Sequence, residues 1–206
     1  MAEKGLATRI VSQTAFAGAS LLKGLGVRPN ILTWCSLLPA IASGIAAAWG
    51  AFYIATALLL LSALCDFFDG PLARVSGTVS RMGALLDSTI DRLVDAAPFL
   101  GLIVFYSRAD GAALVPALAL LGGYTVSYVR ARAEALDIVL PQLWMRRPER
   151  LLLTGLALML VDIDLPTIEV PMTLVIISVL AVLSFLAAAH ELWIASRLLT
   201  TTTARK

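Results

Sequence analysis

Four aspartates of the sequence fall into two pairs. Asp66 and Asp69 close the stretch LLLLSALCDFFDG, and Asp87 and Asp91 lie in ALLDSTIDRLVD. Residues three or four apart share a helical face, so each pair presents two carboxylates on one side. The connecting GPLARVSGTVSRMG is short enough to make the two helices antiparallel neighbours, which would bring all four carboxylates together. A carboxylate at the centre of a membrane helix costs roughly 2.5–3.5 kcal/mol, and crowding like charges adds repulsion. Arg74 or Arg92 alone cannot neutralise four such groups. One or two divalent cations can, and oxygen ligands with no histidine at hand suit Mg2+ or Mn2+. Mg2+ held by few carboxylates leaves positions for phosphate oxygens, so the pattern points to phosphate chemistry. Gly70 and Gly83, beside the pairs, permit close approach of a ligand or a backbone. Arg74 offers a guanidinium fork for phosphate.

The elements that position these residues belong in a bilayer. The 206-residue chain is 59% hydrophobic and 15% charged, with mean hydropathy +0.88. Its net charge of +2 is too small to suggest nucleic-acid binding. Residues 31–65 carry no charge, and as one helix they would reach ~50 Å, against a hydrocarbon core of ~30 Å. They therefore form two spans, with the turn at Trp49-Gly50. The expected architecture is an all-α integral membrane protein with six transmembrane helices, at about 30–49, 51–74, 82–106, 111–134, 149–163 and 170–196. Residues 137–148, with Pro141 and Pro148, read as a bent interfacial loop. An N-terminal interfacial helix within 1–29 precedes the 30–199 domain, and 200–206 form a frayed tail.

The charge distribution supports six spans with both termini in the cytoplasm. That arrangement puts Lys4, Arg9, Lys23, Arg28, Arg74, Arg81, Arg130, Arg132, Arg146, Arg147, Arg150, Arg197, Arg205 and Lys206 inside. Arg108, Asp110, Asp162, Asp164 and Glu169 fall outside, and Arg92 lies within the third span. Cys35 and Cys65 read as small buried hydrophobes. An ion or proton transporter is the rival reading of intramembrane carboxylates. Against it, the aspartates cluster at one membrane face and no charged relay continues to the other.

The run Asp66-x2-Asp69-Gly70-x2-Ala73-Arg74-x8-Gly83-x3-Asp87-x3-Asp91 resembles, at all eight defined positions, the signature of the CDP-alcohol phosphotransferases. RPNILT at 28–33 is similar to that family's usual opening of the first span. The resemblance implies a six-helix membrane enzyme, commonly a homodimer among membrane lipids. Such an enzyme transfers a phosphatidyl-type group from a CDP-linked lipid to an alcohol and releases CMP. It implies Mg2+ or Mn2+, as two ions, held by Asp66, Asp69, Asp87 and Asp91, with Asp91 also the general base. It places the nucleotide against Asp69, Gly70, Arg74 and Gly83, with Ser80 a further candidate, at a site on the cytoplasmic side of the cell membrane.

SYVRARAEALD (127–137), RRPERLLLTG (146–155) and ELWIASRLLT (191–200), with LLDSTIDR (85–92), look most like the phosphatidylinositol-phosphate synthase branch and its archaeal ether-lipid counterparts. This implies a small phosphorylated polyol as acceptor, inositol 1-phosphate, its phosphate held by Arg130, Arg150 and Arg197. Arg130 departs from the lysine of some members. Glycerol 3-phosphate is the alternative acceptor, but Ser88 and Arg92 stand where the phosphoglycerol-forming branch usually has Pro and Lys. Among the remaining residues, Asp95 is expected to partner Arg92, Glu134 to order the arginines or pair at the surface, and His190 to pack. Gly122-Gly123 is expected to allow close helix packing.

Overall fold

The structure is a computed structural model that describes residues 6–141, 143–161 and 170–203. Lys4, Asp162, Asp164, Glu169, Arg205 and Lys206 lie outside the described residues. Among the described residues seven α-helices run in order: α1 (Leu6–Gly24), α2 (Pro29–Ala48), α3 (Phe52–Ser76), α4 (Arg81–Phe105), α5 (Leu114–Glu134), α6 (Arg147–Met159) and α7 (Met172–Thr203). A single 3-10 turn, Tyr106–Arg108, follows α4, and the described residues contain no strand. The chain turns at Gly50, whose φ of 77° suits glycine. Residues 135–141 and 143–146 are non-helical, as expected of the bent loop, with Asp137 and Met145 both at φ 57°.

Four helices, α2, α3, α5 and α7, are long and apolar enough to cross a bilayer. The other two expected spans fall short for identifiable reasons. The 25-residue α4 carries Asp87, Asp91, Arg92 and Asp95, the residues of the candidate site. The 13 residues of α6 reach only ~20 Å. Large apolar side chains face outward along the bundle, among them Leu38, Ile54, Leu61, Leu118 and Val182, each at least 47% exposed. Lipid solvates such a surface, and the chain is a multi-pass membrane protein.

The helices pack as two groups, with α2 against both α3 and α4, and α7 against both α5 and α6. Contacts of α4 with α5 and of α3 with α6 join the groups. Gly44 and Gly101 bring α2 and α4 together. A Cβ on Gly101 would lie 2.1 Å from the Gly44 carbonyl oxygen, so only glycine fits. Buried hydroxyls tie α2 to α3, where Ser43 Oγ donates to the Ala55 carbonyl and Ser62 Oγ to the Ser36 carbonyl, both at 2.7 Å. Such bonds replace water as partner for polar groups in the membrane. α1 lies on α3, with Ala15 and Ala19 buried and Lys23 Nζ donating to the Val75 carbonyl at 2.9 Å. α7 continues to Thr203, past the expected tail boundary at 200.

Candidate active site

Although joined by a short turn, α3 and α4 barely touch, because α2 packs against both. The expected neighbouring pair is therefore splayed. The N-terminal turn of α2 meets the C-terminal end of α3 and the N-terminal end of α4, and the aspartates line the gap.

Asp66, Asp69 and Asp87 each contribute one carboxylate oxygen to a group whose members all lie within 4.8 Å of one another. Ligands about 2.1 Å from a Mg2+ ion stand roughly 3–4 Å apart, so this oxygen set fits a hard divalent cation after small side-chain adjustments. Thr33 fixes the most buried member by donating from Oγ1 to Asp69 Oδ2 at 2.8 Å. Asp91 is not in this group. It lies one turn beyond Asp87, where its Oδ1 faces Arg147 Nη1 at 2.8 Å. That oxygen is buried and, the ion pair apart, has no hydrogen-bond partner.

On one side of the carboxylates a cleft of about 260 Å3 opens between α2, α3 and α4. Every residue expected to meet nucleotide lines it: Asp69, Gly70, Arg74, Ser80 and Gly83. Two glycines form part of its walls. A Cβ on Gly70 would meet nothing nearer than Arg74 Nη1 at 3.7 Å, whereas one on Gly83 would press on Ser80 Oγ at 3.1 Å. Ser80 caps α4 by accepting from the Gly83 N–H at 3.0 Å, which leaves its hydroxyl proton to donate. Pro29, Asn30 and Thr33 of α2 complete the cleft. In the sequence, nothing in the spacing of RPNILT gives these residues a role.

On the other side a second cavity, about 340 Å3, lies between α4, α5, α6 and α7. Asp91, Arg130 and Arg150 line it, together with Arg146, Arg147 and Glu191. Arg197 does not line it, and its guanidinium lies over the Trp193 ring, 4.8 Å from the centroid. Arg150 is buried, and Gly123 makes room for it, since a Cβ there would stand 3.3 Å from Arg150 Nε. Its Nη1 donates to the Met145 carbonyl at 3.0 Å and its Nη2 to Asp95 Oδ2 at 3.2 Å. Asp95 thus serves Arg150 and Arg147 rather than Arg92, which instead bonds the Ser88 carbonyl at 3.0 Å. Arg130 pairs with the buried Glu191. Gly122 allows close packing, as expected, with a Cβ there reaching Ser184 Cβ at 3.0 Å, and His190 stacks on Trp193.

Arg147, the first residue of α6, joins the two halves of the site. Its Nη1 lies 2.6 Å from Asp66 Oδ2 and 2.8 Å from Asp91 Oδ1, and its Nε donates to Asp95 Oδ1 at 3.1 Å. In the sequence Arg147 reads only as a topology charge. The RRPER run marks a helix start but does not single out which arginine turns inward.

The fold and site define a membrane protein built to hold a divalent cation and phosphate groups between splayed helices. Residues 27–193 match the CDP-alcohol phosphatidyltransferase family model, and the chain belongs to that family as a CDP-alcohol phosphotransferase. It is 29% identical over 198 residues to phosphatidylinositol phosphate synthase of Mycobacterium tuberculosis, covering 89% of each chain. The same-named protein of Mycolicibacterium smegmatis is 35% identical over 77% of this chain and 73% of that one. The match to an Aquifex aeolicus protein of uncharacterised function, 47% identical, covers 41% of this chain and 44% of that protein. The crystal structure of the M. tuberculosis enzyme with CDP-DAG bound superimposes with a TM-score of 0.78 at 27% identity, over 89% of this chain and 94% of that one. The same enzyme has been solved in complex with manganese and citrate, with a TM-score of 0.78 at 26% identity, over 88% of each chain.

Proposed function

We propose that this chain transfers the phosphatidyl-type group of a CDP-linked lipid to a hydroxyl of inositol 1-phosphate, releasing CMP. The carrying observation is that Asp91 lines the arginine-rich cavity while its neighbours on α3 and α4 line the cleft. Donor and acceptor can thus approach one reacting phosphorus from opposite sides. The relatives named phosphatidylinositol phosphate synthase support the choice of acceptor.

In this reading Asp66, Asp69 and Asp87 hold Mg2+ or Mn2+, as two ions, with Asp91 contributing as a fourth ligand. A divalent cation there supplies positive charge against the diphosphate as negative charge builds on the leaving CMP. Gly70 and Gly83 let the diphosphate approach the helix backbones, while Arg74 and Ser80 donate to its oxygens. Arg130 and Arg150 bind the acceptor phosphate and so place a ring hydroxyl beside Asp91. Asp91 takes the hydroxyl proton on Oδ1, the acceptor oxygen forms its bond to the lipid-side phosphorus, and the bond to the CMP oxygen breaks. Proton removal of this kind contributes about 10²–10⁴-fold, and positioning by the two arginines adds to it. Arg197, outside the cavity, has no role in this scheme unless its side chain turns from Trp193.

The arginine-rich end of the bundle is assigned to the cytoplasm by the positive-inside bias, with α4 and α6 completing six spans and α1 lying in the interface. The enzyme works as a homodimer, as its family commonly does. An acceptor panel tests the reading. Purified protein in lipid with CDP-diacylglycerol and Mg2+ or Mn2+ is given inositol 1-phosphate, glycerol 3-phosphate, serine or free inositol, and CMP is measured. Turnover with inositol 1-phosphate is expected, and turnover with glycerol 3-phosphate alone overturns the acceptor assignment.

A further inference from the structure

Glu191 of α7 is the most buried charged side chain lining the acceptor cavity, at 1% exposure. Its Oε1 accepts from Arg130 Nη2. Its Oε2 is closed off from water and has no hydrogen-bond partner. A buried carboxylate oxygen without a donor is costly, and such an oxygen beside a ligand cavity is a ready acceptor for a group the ligand brings. Of the other charged groups around it, Arg92, Arg130, Arg146, Arg147 and Arg150 are cations suited to phosphate, Asp91 is the proposed base, and Glu134 is exposed. Glu191 is thus the buried carboxylate of this cavity to which the proposed reaction gives no role; a carboxylate can only accept, and the donors a polyol phosphate carries are its hydroxyls.

We propose that Glu191 is a specificity-determining residue that accepts a hydrogen bond from a hydroxyl of the acceptor. This rests on the polyol-phosphate reading of the cavity. The acceptor's phosphate competes with Glu191 for the Arg130 guanidinium. As Arg130 turns to the phosphate, the carboxylate is left to the ring hydroxyls. A site built around such a bond rejects analogues lacking the hydroxyl far more strongly than a purely apolar wall would.

The test uses the full-length protein in lipid, with Glu191→Gln, which keeps the side-chain volume. Two quantities are read: the KM for inositol 1-phosphate, and the Ki of inorganic phosphate as a competitor of the acceptor. The variant is expected to raise KM about tenfold with kcat little changed, and to leave the phosphate Ki within about twofold. If KM and Ki rise together, Glu191 merely holds Arg130, and the proposal is overturned. It is equally overturned if neither moves. Should the variant fail to fold, monodeoxy analogues of inositol 1-phosphate on the wild-type protein carry the test. One deletion is expected to raise KM about tenfold, and an even response across all positions overturns the proposal. Wild-type turnover confined to glycerol 3-phosphate would overturn the acceptor reading itself, an outcome distinct from a Glu191→Gln failure.

Discussion

Replacing Arg147 by alanine tests how the two halves of the site are coupled. The guanidinium stands between Asp66 at 2.6 Å, Asp91 at 2.8 Å and Asp95 at 3.1 Å, with only 22% of the side chain exposed. Removing it leaves three carboxylates without their shared cation. Breaking a buried pair by deleting one partner typically costs about 3–5 kcal/mol. Asp95 keeps Arg150 as a second partner, so the lower end applies. If ~3 kcal/mol of that loss falls on the placement of Asp91, turnover drops about 10²-fold. The effect on the cation has the opposite sign. Arg147 repels a divalent ion at Asp66, so its removal should leave Mn2+ affinity unchanged or tighter. Steady-state CMP release and Mn2+ titration of the same preparation measure both. Unchanged turnover, or Mn2+ affinity lost together with activity, would refute the reasoning, since the second outcome means that Arg147 only supports the fold around the cluster.

Other expectations follow from single contacts. Asp91→Asn removes the proton acceptor and should abolish CMP release while CDP-lipid binding survives; measurable turnover at the wild-type rate would remove Asp91 as base. Gly83→Val should raise the KM for the CDP-linked lipid at least tenfold, because even a Cβ there presses on Ser80 Oγ at 3.1 Å, while the acceptor KM stays constant. Gly101→Ala places a Cβ 2.1 Å from a backbone carbonyl oxygen on α2, an overpacking expected to cost at least ~1–3 kcal/mol. Its unfolding temperature in detergent should fall, and an unchanged value would contradict the close α2–α4 approach.

The chemistry was more legible in the sequence than the geometry. Three- and four-residue spacings fix which side chains share a helical face, so the two aspartate pairs could be read without coordinates. Gly50 between two apolar runs marked a turn, and the ends of α2 to α5 fall within about three residues of the expected ones, whereas α6 stops short and α7 runs on to Thr203. Spacing does not fix the angle between helices, so the splay of α3 from α4, and with it the cleft, was hidden. It arises from α2, whose Gly44 admits α4 while Ser36 and Ser43 bond to α3. The arginines show the same limit. Arg130, Arg147, Arg150 and Arg197 all lie at helix ends on one side of the bundle, and only packing distinguishes Arg147, turned onto three carboxylates, from Arg197, stacked on Trp193. Glu191 was equally invisible, because a single acid near the end of an apolar helix reads as interfacial until its neighbours are known.

The most direct test of the central claim is Mn2+ binding to the purified protein, followed by electron paramagnetic resonance, in the wild type and in Asp69→Asn. Asp69 belongs to the carboxylate group and is held by Thr33, so its loss removes a fixed ligand with little change in shape. The account expects specific Mn2+ binding in the wild type that weakens at least tenfold in the variant, with CMP release lost in parallel. Equal Mn2+ binding by the two proteins, or CMP release that persists in a chelator, would contradict it.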